Sequence, residues 1–259
     1  MPVLQTVNLS KVYRGDKGAP PVRALDGFHL TVQSGEFVAV MGPSGSGKST
    51  LLNLLGTMDT PTLGEALIDG VNIASLRGND LADFRRRRLG FIYQQENLMD
   101  YLTLRENILL PLALEQVPRA EAEQRLAEIA ERLSLTKVLD RYPYEVAGGE
   151  QQRAAAARAL IHRPSLVLAD EPTASLDSRS ARRLMEALAQ LNASEGATII
   201  MATHDPVASS YCQRVLFIQD GRLYTEVRRG VERRVFYQQI VDVIAVLGGE
   251  HPGSLFAPA

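Results

Sequence analysis

The chain has 259 residues, 45% of them hydrophobic and 22% charged, and its formal net charge is −2. This composition is typical of a soluble globular protein and excludes the global positive field that attracts nucleic acid or anionic lipid. The single cysteine, Cys212, excludes an internal disulfide framework and a multi-cysteine metal site. The start of the chain lacks a secretory signal, and no run approaches the roughly 18 apolar residues of a membrane helix, so we expect a cytosolic protein.

Several segments of the chain have the patterns of β-strands. Up to about residues 67–69 the sequence indicates strands and turns, and within it "EFVAVMGPSGSGKSTLLNLLGTM" predicts a buried strand, a tight loop and a helix. Two short runs rich in Val, Ile and Leu, at 165–170 and 197–203, predict further buried strands. The segment "RVLFIQDGRLYTEV" has Asp-Gly between two alternating apolar runs and predicts a β-hairpin.

The middle and the end of the chain predict helices. A helical insert occupies roughly residues 96–160, and one of its segments has an apolar face formed by Leu126, Ile129, Ala130 and Leu133. The tail, residues 229–259, has apolar residues at helical spacing before Gly and Pro, namely Phe236, Ile240, Val243, Ile244 and Leu247. This tail either contacts a partner or packs on the core of its own domain. We therefore predict one α/β domain over 1–228 and a helical tail over 229–259.

A phosphate-binding loop is predicted between the first buried strand and its helix. The motif "GPSGSGKST" fits G-x-x-x-x-G-K-[ST] and consists of Gly42, Pro43, Ser44, Gly45, Ser46, Gly47, Lys48, Ser49 and Thr50. Glycines let backbone N–H groups approach phosphate oxygens, and the helix N-terminus adds a favourable dipole. We expect Lys48 at the β- and γ-phosphates and the Ser49 hydroxyl at Mg²⁺. The alternative is a glycine-rich turn without a ligand.

Catalytic candidates follow two of the buried strands. Asp170 closes the strand in "LVLADEPTASLD", and Glu171 comes next, at the edge of a parallel sheet where ligands collect. We expect Asp170 to hold Mg²⁺, through water, and Glu171 to polarise the attacking water. His204 ends the strand in "IIMATHDP" and can donate to the γ-phosphate. A solvated acidic turn and a strand-capping histidine are the alternatives.

Six motifs in a fixed order resemble one known family, the nucleotide-binding domains of ATP-binding cassette (ABC) transporters. In chain order they are the phosphate loop, "FIYQQ", "VAGGEQQR", "LVLADEP", "ASLD" and "ATHD". The resemblance covers the chain to about Thr225. It implies a P-loop NTPase core with a RecA-like parallel sheet, an N-terminal antiparallel β subdomain and an inserted α-helical subdomain. It also implies an ATPase that uses ATP and Mg²⁺, with residues 1–228 as the ABC ATPase domain.

The resemblance implies roles for further residues. Tyr13 matches the aromatic residue that stacks on adenine, with a strand aromatic packed in the core as the alternative. Gln94 matches the glutamine that senses Mg²⁺ and water during catalysis, and Gln95 is the competing register. Asp177 matches the loop carboxylate at a dimer interface. The glycine pair opens a helix that reads the γ-phosphate held by a second copy in a head-to-tail homodimer, and this signature consists of Ala147, Gly148, Gly149 and Glu150.

The signature departs from the family's usual Leu-Ser-Gly-Gly-Gln. Ala147 removes a hydroxyl that would bond the γ-phosphate, and such a charge-assisted hydrogen bond contributes about 1.5–3 kcal/mol. Glu150 adds a carboxylate near the nucleotide, at a cost of about 1 kcal/mol in water or about 4 kcal/mol at an effective dielectric near 20. That cost falls if the carboxylate accepts hydrogen bonds from ribose hydroxyls. We predict weakened nucleotide-driven dimerisation and slow basal turnover, with function retained.

Within the family, the chain is similar to the ATPase subunits of bacitracin-type (BceA-like) peptide-resistance transporters. The tail favours this group, because the related macrolide-export and lipoprotein-release subunits usually end soon after the hairpin. The resemblance implies two ATPase copies on one integral-membrane permease, at the cytoplasmic face of the membrane. Its implied role is resistance to antimicrobial peptides, with signalling through a sensor kinase.

Other functions remain open from the sequence. They are a macrolide-export or lipoprotein-release ATPase subunit, a nucleotide-gated regulatory scaffold with very slow hydrolysis, and a soluble relative in DNA repair or translation. The arginine run Arg85–Arg88 has no interleaved aromatic residues, which indicates a solvated helix face or a permease contact rather than nucleic-acid binding.

Overall fold

The computed structural model describes residues 2–15 and 20–248. These residues form two β-sheets surrounded by helices, which confirms the predicted α/β class. The strands are β1 (Pro2–Tyr13), β2 (Val22–Gln33), β3 (Phe37–Met41), β4 (Leu63–Ile68), β5 (Val71–Asn72), β6 (Leu89–Ile92), β7 (Leu166–Asp170), β8 (Ile199–Ala202), β9 (Arg214–Gln219) and β10 (Arg222–Arg228). The helices are α1 (Lys48–Leu55), α2 (Gly78–Arg88), α3 (Leu104–Leu114), α4 (Arg119–Arg132), α5 (Gly148–Leu160), α6 (Ser178–Glu195), α7 (Pro206–Ser209) and α8 (Arg233–Leu247). The end of the predicted tail, residues 249–259, lies outside the described residues.

A six-stranded sheet forms the centre of the fold. Its order is β10-β9-β3-β8-β7-β6, with β10 antiparallel to β9 and the other pairs parallel. The sheet is buried on both faces: along β3, Val38 and Val40 belong to one apolar cluster, while Ala39 and Met41 belong to another. Because both faces are covered, its strands have continuous apolar runs, which is why the sequence predicts β3, β7 and β8. The predicted β9–β10 hairpin is also present.

A four-stranded antiparallel sheet lies against one face of the central sheet. Its order is β2-β1-β4-β5, and it is the predicted N-terminal antiparallel subdomain. Leu9, Phe28 and Ile68 from this sheet share an apolar cluster with α1 and with alternate residues of β3. The turn between β9 and β10 connects the two sheets, because the Asp26 N–H donates to the Gly221 carbonyl oxygen at 2.9 Å.

Helices α3, α4 and α5 pack together in the predicted helical insert. A capping box begins α3: Thr103 Oγ1 accepts from the Glu106 N–H at 3.2 Å, and Glu106 Oε2 accepts from the Thr103 N–H at 2.8 Å. The predicted apolar face of α4 is buried, including Leu133 just after the helix. Across residues 2–15 and 20–248, each helix is too short or too polar to cross a membrane. The boundary between the two predicted domains, near residue 228, stays a prediction.

The arginine run Arg85–Arg88, at the end of α2, is held by contacts within the chain. Its partners are Thr57 for Arg85, Glu115 for both Arg86 and Arg87, and Asp69 for Arg88. The run therefore connects α2 to the segments after α1, α3 and β4, and is not simply a solvated face. A contact with a permease stays a prediction.

The predicted tail helix is present as α8 and packs on the protein's own core. Phe236 and Ile240 are 1% and 0% exposed and belong to the apolar cluster on the helical side of the central sheet. Val243, Ile244 and Leu247 are partly buried against the same cluster. Of the two alternatives for the tail, the structure supports packing on the domain's core.

Replacing Phe236 tests this packing. We expect Phe236→Ala to lower the free energy of unfolding by about 3–5 kcal/mol, because it leaves a cavity in the core. The control is Val235→Ala at the neighbouring position, which is 54% exposed. It should change the free energy of unfolding by less than about 0.5 kcal/mol. Urea denaturation of the nucleotide-free protein measures both, and equally small effects would contradict the packing of α8.

Candidate functional site

Four parallel strands end at one edge of the central sheet, and the site residues predicted from sequence follow these ends. β3 leads into the phosphate loop, β6 into "FIYQQ", β7 into Glu171 and β8 into His204. The strand ends are in register, since Val40 of β3 and Asp170 of β7 both pair with Ala202 of β8. In open parallel sheets this is the edge at which ligands bind.

The phosphate loop has a backbone path that two glycines make possible. A Cβ on Gly42 would lie 2.1 Å from the Ile218 carbonyl oxygen, and a Cβ on Gly47 would lie 2.4 Å from the Ala24 carbonyl oxygen. Gly47 also precedes α1 with a φ of 107°, which favours glycine. Any larger residue at these positions would displace the loop from β9 and β2. The two contacts therefore fix the loop at the N-terminus of α1.

Polar groups of the loop have unused bonding capacity. The Ser46 hydroxyl is buried and has no partner among the described residues, which is costly unless another group bonds it. Lys48 Nζ donates to the carbonyl oxygens of Gly42 and Pro43, at 2.9 and 3.1 Å. The exposed members of the loop are Pro43, Ser44, Gly45 and Ser49, and Thr50 is half-buried. This donor set fits a phosphate chain.

Three charged side chains form a half-buried cluster beside the loop. Burial raises the pKa of Asp170, and Glu171 raises it further, whereas Lys48 and the Ser49 hydroxyl act in the opposite direction. Burial lowers the pKa of Lys48, and here Glu171 and Asp170 oppose the effect. The charges of Lys48 and Asp170 are thus disfavoured by burial, and each is favoured by a neighbour of opposite sign. Carboxylate and hydroxyl oxygens beside a phosphate-binding lysine are a donor set suited to Mg²⁺.

Glu171 is fixed by both its backbone and its side chain. Its φ of 46° lies in the left-handed region, which is uncommon for residues other than glycine and is enriched at functional sites. Its N–H donates to the Ala202 carbonyl oxygen at 2.9 Å. His204 Nδ1–H donates to Glu171 Oε1 at 2.9 Å, while Oε2 is buried without a partner among the described residues. His204 therefore fixes one carboxylate oxygen, and the other can accept from a further donor.

Gln94 lies at the same sheet edge with an exposed side chain. Its main-chain carbonyl oxygen accepts from the Ser175 hydroxyl at 3.2 Å, which connects this segment to the loop after β7. Gln95 is exposed as well. The choice of register between the two glutamines stays a prediction.

A buried glutamine that was not identified from the sequence connects the site segments. Gln152 is 0% exposed, and its Nε2 donates to the carbonyl oxygens of Tyr93 and Pro172, at 2.8 and 3.0 Å. It therefore joins α5 to the segments that carry Gln94 and Glu171. A polar residue on the buried side of an alanine-rich helix is the signal that could have identified it, because buried polar groups need partners.

Tyr13 lies at the end of β1 and is 39% exposed, so the alternative of an aromatic residue packed in the core is wrong. Its hydroxyl donates to Asp59 Oδ2 at 2.9 Å. Lys11 Nζ lies 5.0 Å from the ring centroid and also pairs with Asp59. These contacts fix the ring, and its stacking on adenine stays a prediction.

The signature residues lie at the start of α5. Ala147 offers no side-chain cap, and the Glu150 carboxylate instead accepts from the Ala147 N–H at 3.0 Å. Glu150 therefore turns back onto the first turn of its own helix. The effect of these two residues on dimerisation and turnover stays a prediction.

The two adjacent glycines have different surroundings. A Cβ on Gly148 would meet nothing within 4 Å, whereas a Cβ on Gly149 would lie 2.6 Å from Ser180 Oγ. Ser180 is itself fixed, because the Asp177 carboxylate caps α6 and accepts from the Ser180 N–H and hydroxyl at 3.0 and 2.7 Å. The sequence analysis assigned both glycines to contact with a partner's phosphate. At Gly149, the close packing of α5 on α6 within the same chain also requires a residue without a side chain.

Alanine substitutions at the two glycines separate these environments. We expect Gly149→Ala to lower the free energy of unfolding by about 1–3 kcal/mol, because the added methyl group collides with Ser180. Gly148→Ala is the matched control, and we expect no loss of stability because its methyl group meets open space. Urea denaturation without nucleotide measures both, and equal losses would contradict the assignment.

Sequence comparison relates the chain to ATP-binding proteins of transporters. The profile of the ABC transporter family matches residues 25–174. The chain is 57% identical to the uncharacterized ABC transporter ATP-binding protein YvcR of Bacillus subtilis, over 96% of each chain. It is 47% identical to the bacitracin export ATP-binding protein BceA of Halalkalibacterium halodurans, over 96% of this chain and 98% of BceA.

A solved structure extends this similarity to the fold. It is the dimeric post-hydrolysis state of the ATP-binding cassette MJ0796, from Methanocaldococcus jannaschii, bound to ADP and Pi. The TM-score is 0.79 and the identity 38%, over 88% of this chain and 99% of that chain. Sequence, fold and the geometry of the phosphate loop agree, so the chain belongs to the ABC transporter family and is an ATP-binding subunit with ATPase activity.

Proposed function

We propose that the phosphate loop and the charge cluster bind ATP together with Mg²⁺. The loop N–H groups and Lys48 bind the phosphates, and Tyr13 stacks on the adenine. Ser49, Asp170 and Gln94 hold Mg²⁺, which neutralises phosphate charge when bound. The half-buried cluster supports this assignment. Burial disfavours the charged forms of Lys48 and Asp170, and the phosphates would offset this cost for Lys48 while Mg²⁺ would offset it for Asp170.

In this proposal Glu171 is the general base and His204 positions it. The free, buried Oε2 of Glu171 is the acceptor for the attacking water, and the hydrogen bond from His204 Nδ1 to Oε1 sets the carboxylate's orientation. With Nδ1–H engaged in this way, donation from Nε2 to a phosphate oxygen requires that both ring nitrogens carry a proton. The side chain of His204 is 72% exposed, which leaves it accessible to a ligand.

Replacing Glu171 by Gln tests the base. Gln keeps the size of the side chain and a carbonyl oxygen for His204, but it cannot take a proton from water. We expect turnover to fall by about 100-fold or more, with ATP binding retained, so that the ATP-bound dimer accumulates. The matched control is Glu131→Gln, at an exposed position of α4. Phosphate release and size-exclusion chromatography with MgATP measure both variants, and hydrolysis by Glu171→Gln at the parental rate would disprove the role.

A second copy of the chain completes each site in this proposal. The open surroundings of Gly148 leave the backbone at the N-terminus of α5 accessible to a phosphate held by the partner. The solved cassette MJ0796 is dimeric in a post-hydrolysis state bound to ADP and Pi, which supports a dimer for this chain. Asp177 then lies near the same interface, where it keeps α6 capped.

We further propose that two copies of the chain bind a separate integral-membrane permease at the cytoplasmic face of the membrane and power it by ATP hydrolysis. The complex would confer resistance to bacitracin-like peptide antibiotics. A sensor kinase would receive its signal through that permease. The observation that carries this proposal is the 250-residue similarity to BceA in a chain of 259 residues, which must include α8. The similarity to the lipoprotein-releasing subunit LolD 2 of Chlorobaculum tepidum covers 80% of the chain.

Deleting the gene for this chain in its source bacterium tests the peptide-resistance role. We expect the deletion to increase susceptibility to bacitracin, the parental gene to restore resistance, and the Glu171→Gln gene not to restore it. The minimal inhibitory concentrations of bacitracin and of a macrolide are measured side by side. A change for the macrolide alone would favour the macrolide-export alternative, and no change for either would contradict the proposal.

A further inference from the structure

A charged cavity, separate from the Lys48 charge cluster, lies between the C-terminal end of α4 and the helices α5 and α6. Its volume is about 470 Å³, and its charged lining residues are Arg132, Arg153, Arg183 and Glu186. Three guanidinium groups therefore face one carboxylate. The lining includes no residue of the phosphate loop and no member of the Lys48 charge cluster.

Arg153 is the buried member of this cavity. It is 6% exposed, and its Nε donates to the Leu133 carbonyl oxygen at 2.9 Å. Among the described residues, its two terminal amino groups have no acceptor and no carboxylate pairs with it. Burial lowers the pKa of Arg153 and Arg183 lowers it further, while Glu150 acts in the opposite direction. The two terminal amino groups are not among the buried polar atoms, so they are open to an anion that enters the cavity.

Two of the three arginines at the cavity, Arg153 and Arg183, have no ion-pair partner in the described parts of the chain. Arg132 is already paired, with Nε 3.0 Å from Glu195 Oε1. Arg183 and Glu186 are exposed at the rim and pair with no other charged group in the described parts of the chain. Glu150 lies near Arg153, but its carboxylate accepts from the Ala147 N–H.

We propose that this cavity binds a small oxyanion of the phosphate class, with Arg153 and Arg183 as its ligands. A guanidinium group binds phosphate through two parallel N–H···O bonds, and two such groups match a doubly charged phosphate better than they match one carboxylate. The bound anion lies beside the signature helix, because a Cβ on Gly149 would be 3.7 Å from Arg153 Nη1. The site is formed within one chain and does not depend on the proposed dimer.

Phosphate binding by the nucleotide-free Lys48→Ala variant tests the proposal. This background removes the lysine of the competing phosphate loop, and it should fold because Lys48 Nζ hydrogen-bonds only to two loop carbonyl oxygens. Isothermal titration calorimetry with inorganic phosphate, at an ionic strength held constant with sodium chloride, gives the dissociation constant. Adding Arg183→Gln should weaken binding at least about tenfold, which corresponds to about 1.4 kcal/mol.

The matched control is Arg182→Gln in the same background. Arg182 is exposed on the same helix but does not line the cavity, so its loss changes the net charge equally and should leave the dissociation constant unchanged. Arg183 is exposed, so its substitution should not unfold the protein, and thermal unfolding of each variant checks this. The absence of phosphate binding in Lys48→Ala, or equal binding by the two arginine variants, would overturn the proposal.

Discussion

The parallel pairing of β3, β8 and β7 is the constraint on which the site depends. It aligns Val40, Ala202 and Asp170 across three strands, so the phosphate loop, Glu171 and the segment with His204 all begin at one sheet edge. Both faces of these strands are buried, and a shift of one residue would exchange the side chains between two different cores. The charged groups at the strand ends therefore cannot move apart to regain water. In the function proposed above, the ATP phosphates together with Mg²⁺ would offset these charges, which is how the fold would favour ATP binding.

The signature helix α5 is bound to the fold along one face. Gly149, Gln152 and Arg153 are three and four residues apart and so lie on the same side of the helix. Gly149 packs against α6, and Gln152 donates hydrogen bonds to the Tyr93 and Pro172 carbonyl oxygens of the two site loops. Arg153 lines the charged cavity between α4, α5 and α6. Gly148 lies a third of a turn away and is open. Through Gln152, α5 is therefore bonded to the backbone next to Glu171, the proposed general base.

The sequence predicts what local patterns determine and misses what distant contacts determine. The buried strands, the phosphate loop and α4 follow from apolar runs, glycine spacing and helical periodicity. The sequence analysis assigned no element to α6, although Asp177 as its cap and the period of Leu184, Leu188 and Leu191 could have predicted it. β6 has four residues, too few for a pattern, and the ion pairs that α2 makes with Glu115 and Asp69 join segments far apart in the chain. The packing of Gly149 on α6 could not be predicted from local sequence patterns either, because it joins segments that are 31 residues apart.

The position of α8 makes residues 233–247 part of the ATPase core. Phe236 holds the first turn of α8 in the apolar cluster on the helical side of the central sheet. Because α8 is a continuous helix of 15 residues, this contact also sets the position of its last turn. There Ile244 and Leu247 border a cavity of about 230 Å³ whose other walls include Gly42 and His204. Gly42 lies so close to the Ile218 carbonyl oxygen of β9 that there is no room for a side chain at this position. The last turn of α8 therefore borders the start of the phosphate loop across this cavity, and a cassette without this helix must cover the same apolar face by other means.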